Sequence, residues 1–305
     1  MSVTKVGVLL PTREAVIYGD GSGDPRPLVD LAVQAESLGF DSVWAGDSLL
    51  ARPRAEPLTL LAAVAARTER VQLGTAVLLP SLRNAEQLAQ STATLDAVSG
   101  GRFILGLGAG PGTPGVRVDH ELVGLDFDHR ASRSVATAQR VRSLWRGDAG
   151  DQMYPLPVTP GGPPIWYGGH GPRTLQRTGA YFDGWFPTAH SHQAFAAGLA
   201  TVREAAEAAG RSVDDVSANV YLTVVFGPRQ QAEKELAEHS LLYYGVPHEV
   251  IAKQQGSVAG PPNLVAEWLQ GFIGQGAQHL CIRIGSANVA AQLETMAGLL
   301  DQLRS

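Results

Sequence analysis

A (β/α)8 barrel with insertions is the α/β fold that this sequence predicts, and three observations predict it. Eight short apolar or β-branched runs are separated, almost throughout, by segments whose apolar residues recur at helical spacing. The 305 residues are enough for eight such units plus insertions. Several runs end in glycine rather than in a side chain, above all RFILGLGAGPGTPG (102–115) and PIWYGGHGP (164–172). Strand–helix alternation implies parallel strands with right-handed crossovers. A doubly wound sheet satisfies the same pattern and is the competing architecture. No break in composition divides the chain, so 1–305 reads as one domain, with insertions near 110–129, 147–163 and 229–260.

The elements follow in order. Residues 3–10 form a first strand ended by Pro11, and 13–26, rich in Gly, Asp and Pro, form a loop. A helix over 28–38 stops at Gly39, and DSVWA (41–45) is the second strand. A helix over 58–66 precedes the third strand, VQLGTAVLL (71–79). A helix over 85–97, closed by Ser99, Gly100 and Gly101, leads to the fourth strand at 102–107. Residues 110–129 read as a long connection, 132–144 as a helix and 147–163 as a Gly- and Pro-rich loop. Residues 165–167 and 184–186 are short strands around a helix that starts at 172–178. A helix over 195–209 precedes a seventh strand at 217–226 with alternating β-branched residues. Residues 229–260 read as a helical insertion; 264–273 is a helix, 279–284 the eighth strand and 289–303 the last helix.

Composition narrows the function. Hydrophobic residues make up 44% of the chain, which supports a large core. The net charge of -5 and the lack of any basic run argue against nucleic acid and anionic membranes as partners. No apolar stretch reaches the roughly 18 residues of a membrane span. MSVTKVGVLLPT reads as a strand and not as a signal peptide, and one cysteine, Cys281, fits a reducing cytoplasm; in HLCIRI it reads as core.

In a barrel, the strand C-termini build the site. Bare glycine there lets backbone N–H groups approach a phosphate or a flat ring; a tight loop with no ligand has the same composition. Gly110, Gly112 and Gly115 spell G-x-G-x-x-G, but after the fourth strand and before a loop, which is the wrong place for a dinucleotide fingerprint. At 168–173, Gly168 and Gly169 end a strand and Pro172 opens a helix, so the N–H groups of Gly169, Gly171 and Arg173 would face an anion, with Arg173 adding charge. The alternative is an ordinary capped helix with Arg173 in solvent. Thr75, Ala76 and Val77 interrupt the third strand with small residues, either for a flat ligand or only to line the barrel. Asp47, followed by Ser48, either accepts a hydrogen bond from a ligand or caps its loop. Arg130 either reaches a phosphate or is a surface charge. The pair His190 and His192 has no acid or cysteine cluster beside it, so no metal site is expected, and no G-x-S-x-G elbow occurs.

Together these stretches are similar to the bacterial luciferase-like family of flavin- and F420-dependent oxidoreductases. The resemblance rests on AESLGFDSVWAGDS (35–48), RVQLGTAVLLPSLRNAEQLAQSTATLDAVSGGRFILGLGAG (70–110), GLDFDHR (124–130), SLWRGD (143–148), PPIWYGGHGPRTLQRTGAYFDGW (163–185) and AEWLQGFIGQGAQHLCIRI, in order across most of the chain. It implies a (β/α)8 barrel holding FMN or coenzyme F420 across the strand ends. It also implies a cis peptide at Ala76–Val77 behind the ring. Gly108, Ala109, Gly110 and the turn from Gly168 to Arg173 would lie along the phosphate-bearing tail, with Arg130 meeting a phosphate. GLGAG and GGHGP resemble the methylene-tetrahydromethanopterin-reductase-like branch, which leans towards F420, as does Ala109 where the luciferase branch has arginine. Two departures matter: many members have histidine at Ser48, and several F420-dependent members have a glutamate at Pro111. The resemblance thus leaves Asp47, His170 or Tyr167 as proton donors, or no enzyme acid at all. A non-catalytic flavin-binding paralogue and a sugar-phosphate barrel without redox cofactor are the competing functions. The substrate, a small molecule, has no signature in the loops. Family members often pair as homodimers through helices near the second and third strands, a state that light scattering reads directly.

Overall fold

The computed structural model describes residues 3–19, 22–148, 150 and 153–305. Parts of the loops read at 13–26 and 147–163 lie outside the described residues. Among the described residues there are nine parallel strands: β1 Lys5–Leu9, β2 Ser42–Ala45, β3 Gln72–Thr75, β4 Phe103–Leu107, β5 Ile165–Tyr167, β6 Gly184–Trp185, β7 Ser217–Phe226, β8 Ser257–Gly260 and β9 His279–Ile284. Eight of them, all but β8, close into a ring through the β6–β7, β7–β9 and β9–β1 pairings. This is the (β/α)8 barrel. In chain order its helices are α1 Glu14–Ile17, α2 Arg26–Ser37, α3 Pro57–Ala65, α4 Ala85–Ser99, α5 Pro114–Leu122, α6 Arg130–Arg146, α7 Pro172–Tyr181, α8 His192–Ala208, α9 Arg229–Tyr244, α10 His248–Ile251, α11 Pro262–Gly274, α12 Val289–Ala297 and α13 Leu300–Arg304.

Local chemistry sets several of these bounds. Asn84 caps α4 by accepting from the Gln87 N–H at 2.9 Å, and Gly100 closes it in the left-handed region at φ 66°. Glu56 caps α3 through the Thr59 N–H at 2.7 Å.

The structure corrects the sequence reading at five places, the first being the short helix α1, Glu14–Ile17, inside the segment 13–26 read as a loop. The segment 229–260 contains strand β8, laid on β7 beyond β6 with Thr223 opposite Ser257; four residues between Gly256 and Pro261 are too few to show a period. The connection 110–129 contains α5, opened by Pro114 at its first position. Strand β3 ends at Thr75 rather than at residue 79; the Ala76–Val77 peptide that follows is cis, and beyond it only Leu78 bridges to Leu107. The last helix is divided at Gly298 into α12 and α13.

Inside the ring, side chains stack in layers. Leu9, Trp44, Ile104, Trp166, Phe186, Tyr221 and Cys281 form one cluster, with Ala76 and Val77 packed on it. Trp44 is fully buried and lies 5.1 Å from Trp166 and 5.0 Å from Phe186 between ring centres. Its volume explains a glycine: a Cβ on Gly74 would overlap the Trp44 ring. Cys281 is core, as its strand context predicts.

Below this layer the Trp44 Nε1–H donates to Ser42 Oγ at 2.6 Å, which leaves the Ser42 hydroxyl to donate to His279 Nε2 at 2.7 Å. Burial, aided by the Lys5 charge, pushes His279 down to about 3, so its imidazole is neutral. Burial and the neighbouring Arg283 charge likewise push His239 down to about 3. An unfolded histidine titrates near 6.5. Between that value and about 3 the unfolded chain binds protons that the folded chain refuses, so stability is full above pH 6.5 and lost as pH falls. Each histidine is expected to contribute a slope of about 1.4 kcal/mol per pH unit in that window. Urea unfolding at pH 7 and pH 5 checks this, and His279→Gln is expected to remove about half of the slope; a slope that is unchanged contradicts it.

Candidate active site

At the C-terminal ends of β3, β4 and β5, hydrogen bonds bring the small residues together. Thr75 Oγ1 donates to the Gly106 carbonyl at 2.7 Å, and the Leu78 N–H reaches the same carbonyl at 2.8 Å. The Gly108 N–H then donates to Leu78 O at 3.0 Å, and the Gly168 N–H to Leu107 O at 2.8 Å. Val77 consequently sits over both glycines. A Cβ on Gly108 would lie 2.5 Å from Val77 Cγ2, and one on Gly168 would lie 3.4 Å from Val77 Cγ1. Ala76, Val77, Ala109, Gly110, Gly168 and Gly169 are each partly open to solvent, so the shared rim is reachable. Gly110 takes φ +74° and Gly169 φ +122°, which only glycine adopts readily.

Basic groups flank this rim. The Arg130 guanidinium stacks on Phe127 at 4.0 Å, donates from Nη1 to Phe127 O at 3.2 Å, and lies beside Gly112. Its Nε is buried with no hydrogen-bond partner among the described residues. Next to β5, Gly171 caps α7 without a side chain and Pro172 takes the first position. The Arg173 N–H therefore has no intrahelical acceptor, and its exposed side chain extends from the same turn. A glycine rim with an orphaned guanidinium nitrogen and an uncapped helix N-terminus fits a ring with an anionic tail.

The residues read as chemical groups are placed differently. Asp47 is nearly buried, and both of its oxygens are engaged. Oδ2 accepts from Arg83 Nη1 at 2.5 Å and from the Leu79 N–H at 2.9 Å, while Oδ1 accepts from Arg83 Nη2 at 3.0 Å. Burial opposes the Arg83 charge, but Asp47 and Glu56 outweigh it and hold that guanidinium above its ordinary pKa. Asp47 thus ties the loop after β2 to the segment after β3. Ser48 Oγ accepts from the Arg52 N–H at 2.9 Å and shapes the same loop. Tyr167 points outwards, stacked on Phe182 at 4.5 Å, because Trp166 takes the inward position. His170 is exposed beside Gly169. Of the groups read as proton donors, only His170 is left at the rim with a free imidazole.

The sequence reading missed the other side of the mouth. Arg283, on β9, is buried and donates to the Tyr244 hydroxyl from Nη1 and to the Tyr243 hydroxyl from Nη2, both at 2.6 Å. Glu14 Oε1 stands 3.7 Å from its Nε. Burial opposes the charge on Arg283, but the tyrosines and Glu14 hold it protonated. The signal was in HLCIRI: residues 279, 281 and 283 share the inward face, and an arginine there needs partners.

A sequence profile of luciferase-like monooxygenases matches residues 4–261. The chain belongs to the luciferase-like monooxygenase family. An F420-dependent glucose-6-phosphate dehydrogenase of Nocardia farcinica (strain IFM 10152) is 31% identical over 261 residues, 79% of this chain and 76% of that protein. A phthiodiolone/phenolphthiodiolone dimycocerosates ketoreductase of Mycobacterium sp. (strain JLS) is 32% identical over 268 residues, 73% of this chain and 69% of that protein. Among solved structures, an F420-dependent secondary alcohol dehydrogenase in complex with an F420-acetone adduct superposes with TM-score 0.78 at 20% identity, covering 100% of both chains. The EDTA monooxygenase of Chelativorans sp. BNC1 superposes with TM-score 0.77 at 15% identity, covering 98% of this chain and 94% of that one. At these identities the superpositions establish that this luciferase-like chain shares their fold. Among the described residues no helix is long and apolar enough to cross a membrane, and no His/Cys/Asp/Glu cluster could hold a metal ion.

Proposed function

We propose that this luciferase-like chain is a flavin- or F420-dependent oxidoreductase, that it favours F420, and that it passes a hydride to or from a small organic substrate. The observation that supports this reading is the convergence of Ala76–Val77, Ala109 and Gly168 into one open, side-chain-poor edge, with Gly108 buried beneath Val77. Thr75, Ala76 and Val77 would stand behind the ring. Gly108, Ala109, Gly110, Gly168 and Gly169 would let the tail approach the backbone, and Gly171, Pro172 and Arg173 with Arg130 would meet its phosphate. F420 when bound supplies a hydride-transferring ring that reacts poorly with oxygen, whereas FMN supplies oxygen chemistry. Relatives at 31–32% identity that are F420-dependent dehydrogenases favour the first, and so does Ala109 in place of arginine.

The protein's own part is orientation. Asp47 and Arg83 fix the segment after β3 against the loop after β2, and Ser48 shapes that loop. His170 is the group placed to exchange a proton with solvent at the rim. Because Asp47 is paired and Pro111 has no acid, a non-catalytic cofactor-binding paralogue is the second reading. The groove of about 640 Å³ between α3 and α4, lined by Leu58, Leu82, Leu88 and Val98, is the face over which two copies would pair.

Oxygen uptake separates the readings. With reduced cofactor and a panel of ketones, or oxidised cofactor and a panel of alcohols, hydride transfer is expected to proceed under nitrogen with no oxygen consumed. Turnover that requires oxygen assigns FMN oxygenation, and binding without turnover on any compound assigns the paralogue.

A further inference from the structure

The mouth has two unlike halves. Beside the bare ends of β3 to β5, the loops after β1 and β2 bring Arg13, Arg52 and Arg54 next to Arg283. These guanidiniums gather on two tyrosines at the end of α9. Arg283 lies 3.9 Å from the centre of the Tyr243 ring, Arg13 5.0 Å and Arg54 5.8 Å, while Arg52 lies 5.0 Å from the Tyr244 ring. Arg54 Nη2 also donates to the Tyr243 hydroxyl at 3.1 Å.

Among the described residues acids are scarce here. Elsewhere Arg83, Arg142 and Arg304 each meet a carboxylate. Arg13, Arg52 and Arg54 form no ion pair among the described residues, and the carboxylate closest in the cluster, Glu14, is shared between Arg283 and His239 at 3.7 and 3.8 Å. Among the described residues, Arg13 Nε and Nη1 are shielded from water with no hydrogen-bond partner, and so is the Tyr221 hydroxyl beneath Arg283. Like charges at this spacing repel, and a shielded charged donor without an acceptor costs several kcal/mol. An oxyanion relieves both costs at once, because a guanidinium fork matches two oxygens. The patch also adjoins the cofactor edge: a Cβ on Gly46 would run into Arg54 Nη1 and lie 3.6 Å from Ala76 O.

We propose that Arg13, Arg52 and Arg54 form an anion subsite, so that the substrate of the reaction proposed above carries a carboxylate or a phosphate held on the β1–β2 side of the mouth. The subsite's location opposite the glycine rim rests on that functional reading; the anion binding itself does not.

The test is calorimetric titration of the full chain with inorganic phosphate and, separately, with acetate. Arg13→Met and Arg54→Met are expected to weaken anion binding about tenfold each, the equivalent of one charge-assisted hydrogen bond. Arg173→Met controls for phosphate taken by the cofactor cradle and is expected to leave the Arg13-dependent binding in place. Phosphate and acetate binding alike marks a general oxyanion site; binding of one alone names the substrate's acid group. Should Arg13→Met fail to fold by its thermal melt, Arg54→Met, half-exposed, answers the question by itself. No saturable binding to the unaltered chain, or binding that both variants leave unchanged, overturns the proposal. F420 and FMN titrations of Arg13→Met and Arg54→Met are expected to match the unaltered chain within about twofold. An unaltered chain that binds cofactor but no anion therefore defeats only the subsite, and anion binding without cofactor binding defeats only the redox reading.

Discussion

An Arg130→Ala, Arg173→Ala double variant is expected to bind F420 or FMN about a hundredfold or more weakly than the natural sequence. Each guanidinium would give one charge-assisted hydrogen bond to the tail phosphate, worth about 1.5–3 kcal/mol. At about 1.4 kcal/mol per factor of ten, losing both costs at least two factors of ten. Neither residue forms an ion pair among the described residues, and Arg173 is exposed, so folding should change little at that position. Arg130 also packs on Phe127, and a thermal melt is needed to separate that contribution. Fluorescence titration reads the affinity, and the salt dependence of binding should flatten in parallel because two phosphate contacts are gone. Affinity within about threefold of the natural chain would place the phosphate elsewhere.

Arg83→Met is expected to destabilise the fold by about 3 kcal/mol. Removing one partner of a buried pair leaves the other charge without compensation, which costs about 3–5 kcal/mol, and the lower end applies because Arg83 is partly exposed. What remains for Asp47 is the Leu79 N–H. The Asp47→Asn, Arg83→Met double variant is expected to recover part of the loss, since the stranded charge is gone. Urea unfolding measures both, together with Asp47→Asn alone. The single Asp47→Asn variant decides the role of Asp47. If it positions the segment after β3, Asp47→Asn loses stability and weakens cofactor binding; if it were a proton donor, turnover would collapse with stability and binding unchanged.

Much of the barrel was legible because its signals are local. Strands β5 and β7 fall on the residues read as strands, and the glycine endings after β4 and β5 mark the rim. The residues that went unread have distant partners. Strand β8 exists because β7 offers its edge to residues 257–260, and no period within four residues shows that. Asp47 looks like a loop cap or a ligand contact until Arg83, 36 residues on, is seen across it. The arginine patch joins residue 13, residues 52–54, two tyrosines at 243 and 244 and Arg283, and only ring closure between β9 and β1 makes them neighbours. Tyr167 and Trp166 show the same limit at shorter range: adjacent aromatics on one strand face opposite ways, and the sequence does not say which one faces the barrel interior.

The account stands on the glycine rim and its flanking arginines being a cofactor cradle. Titration of the purified chain with F420 and with FMN, followed by fluorescence, tests that most directly. Saturable micromolar binding, tighter for F420, is the predicted result; no saturable binding of either compound to the folded chain would contradict it.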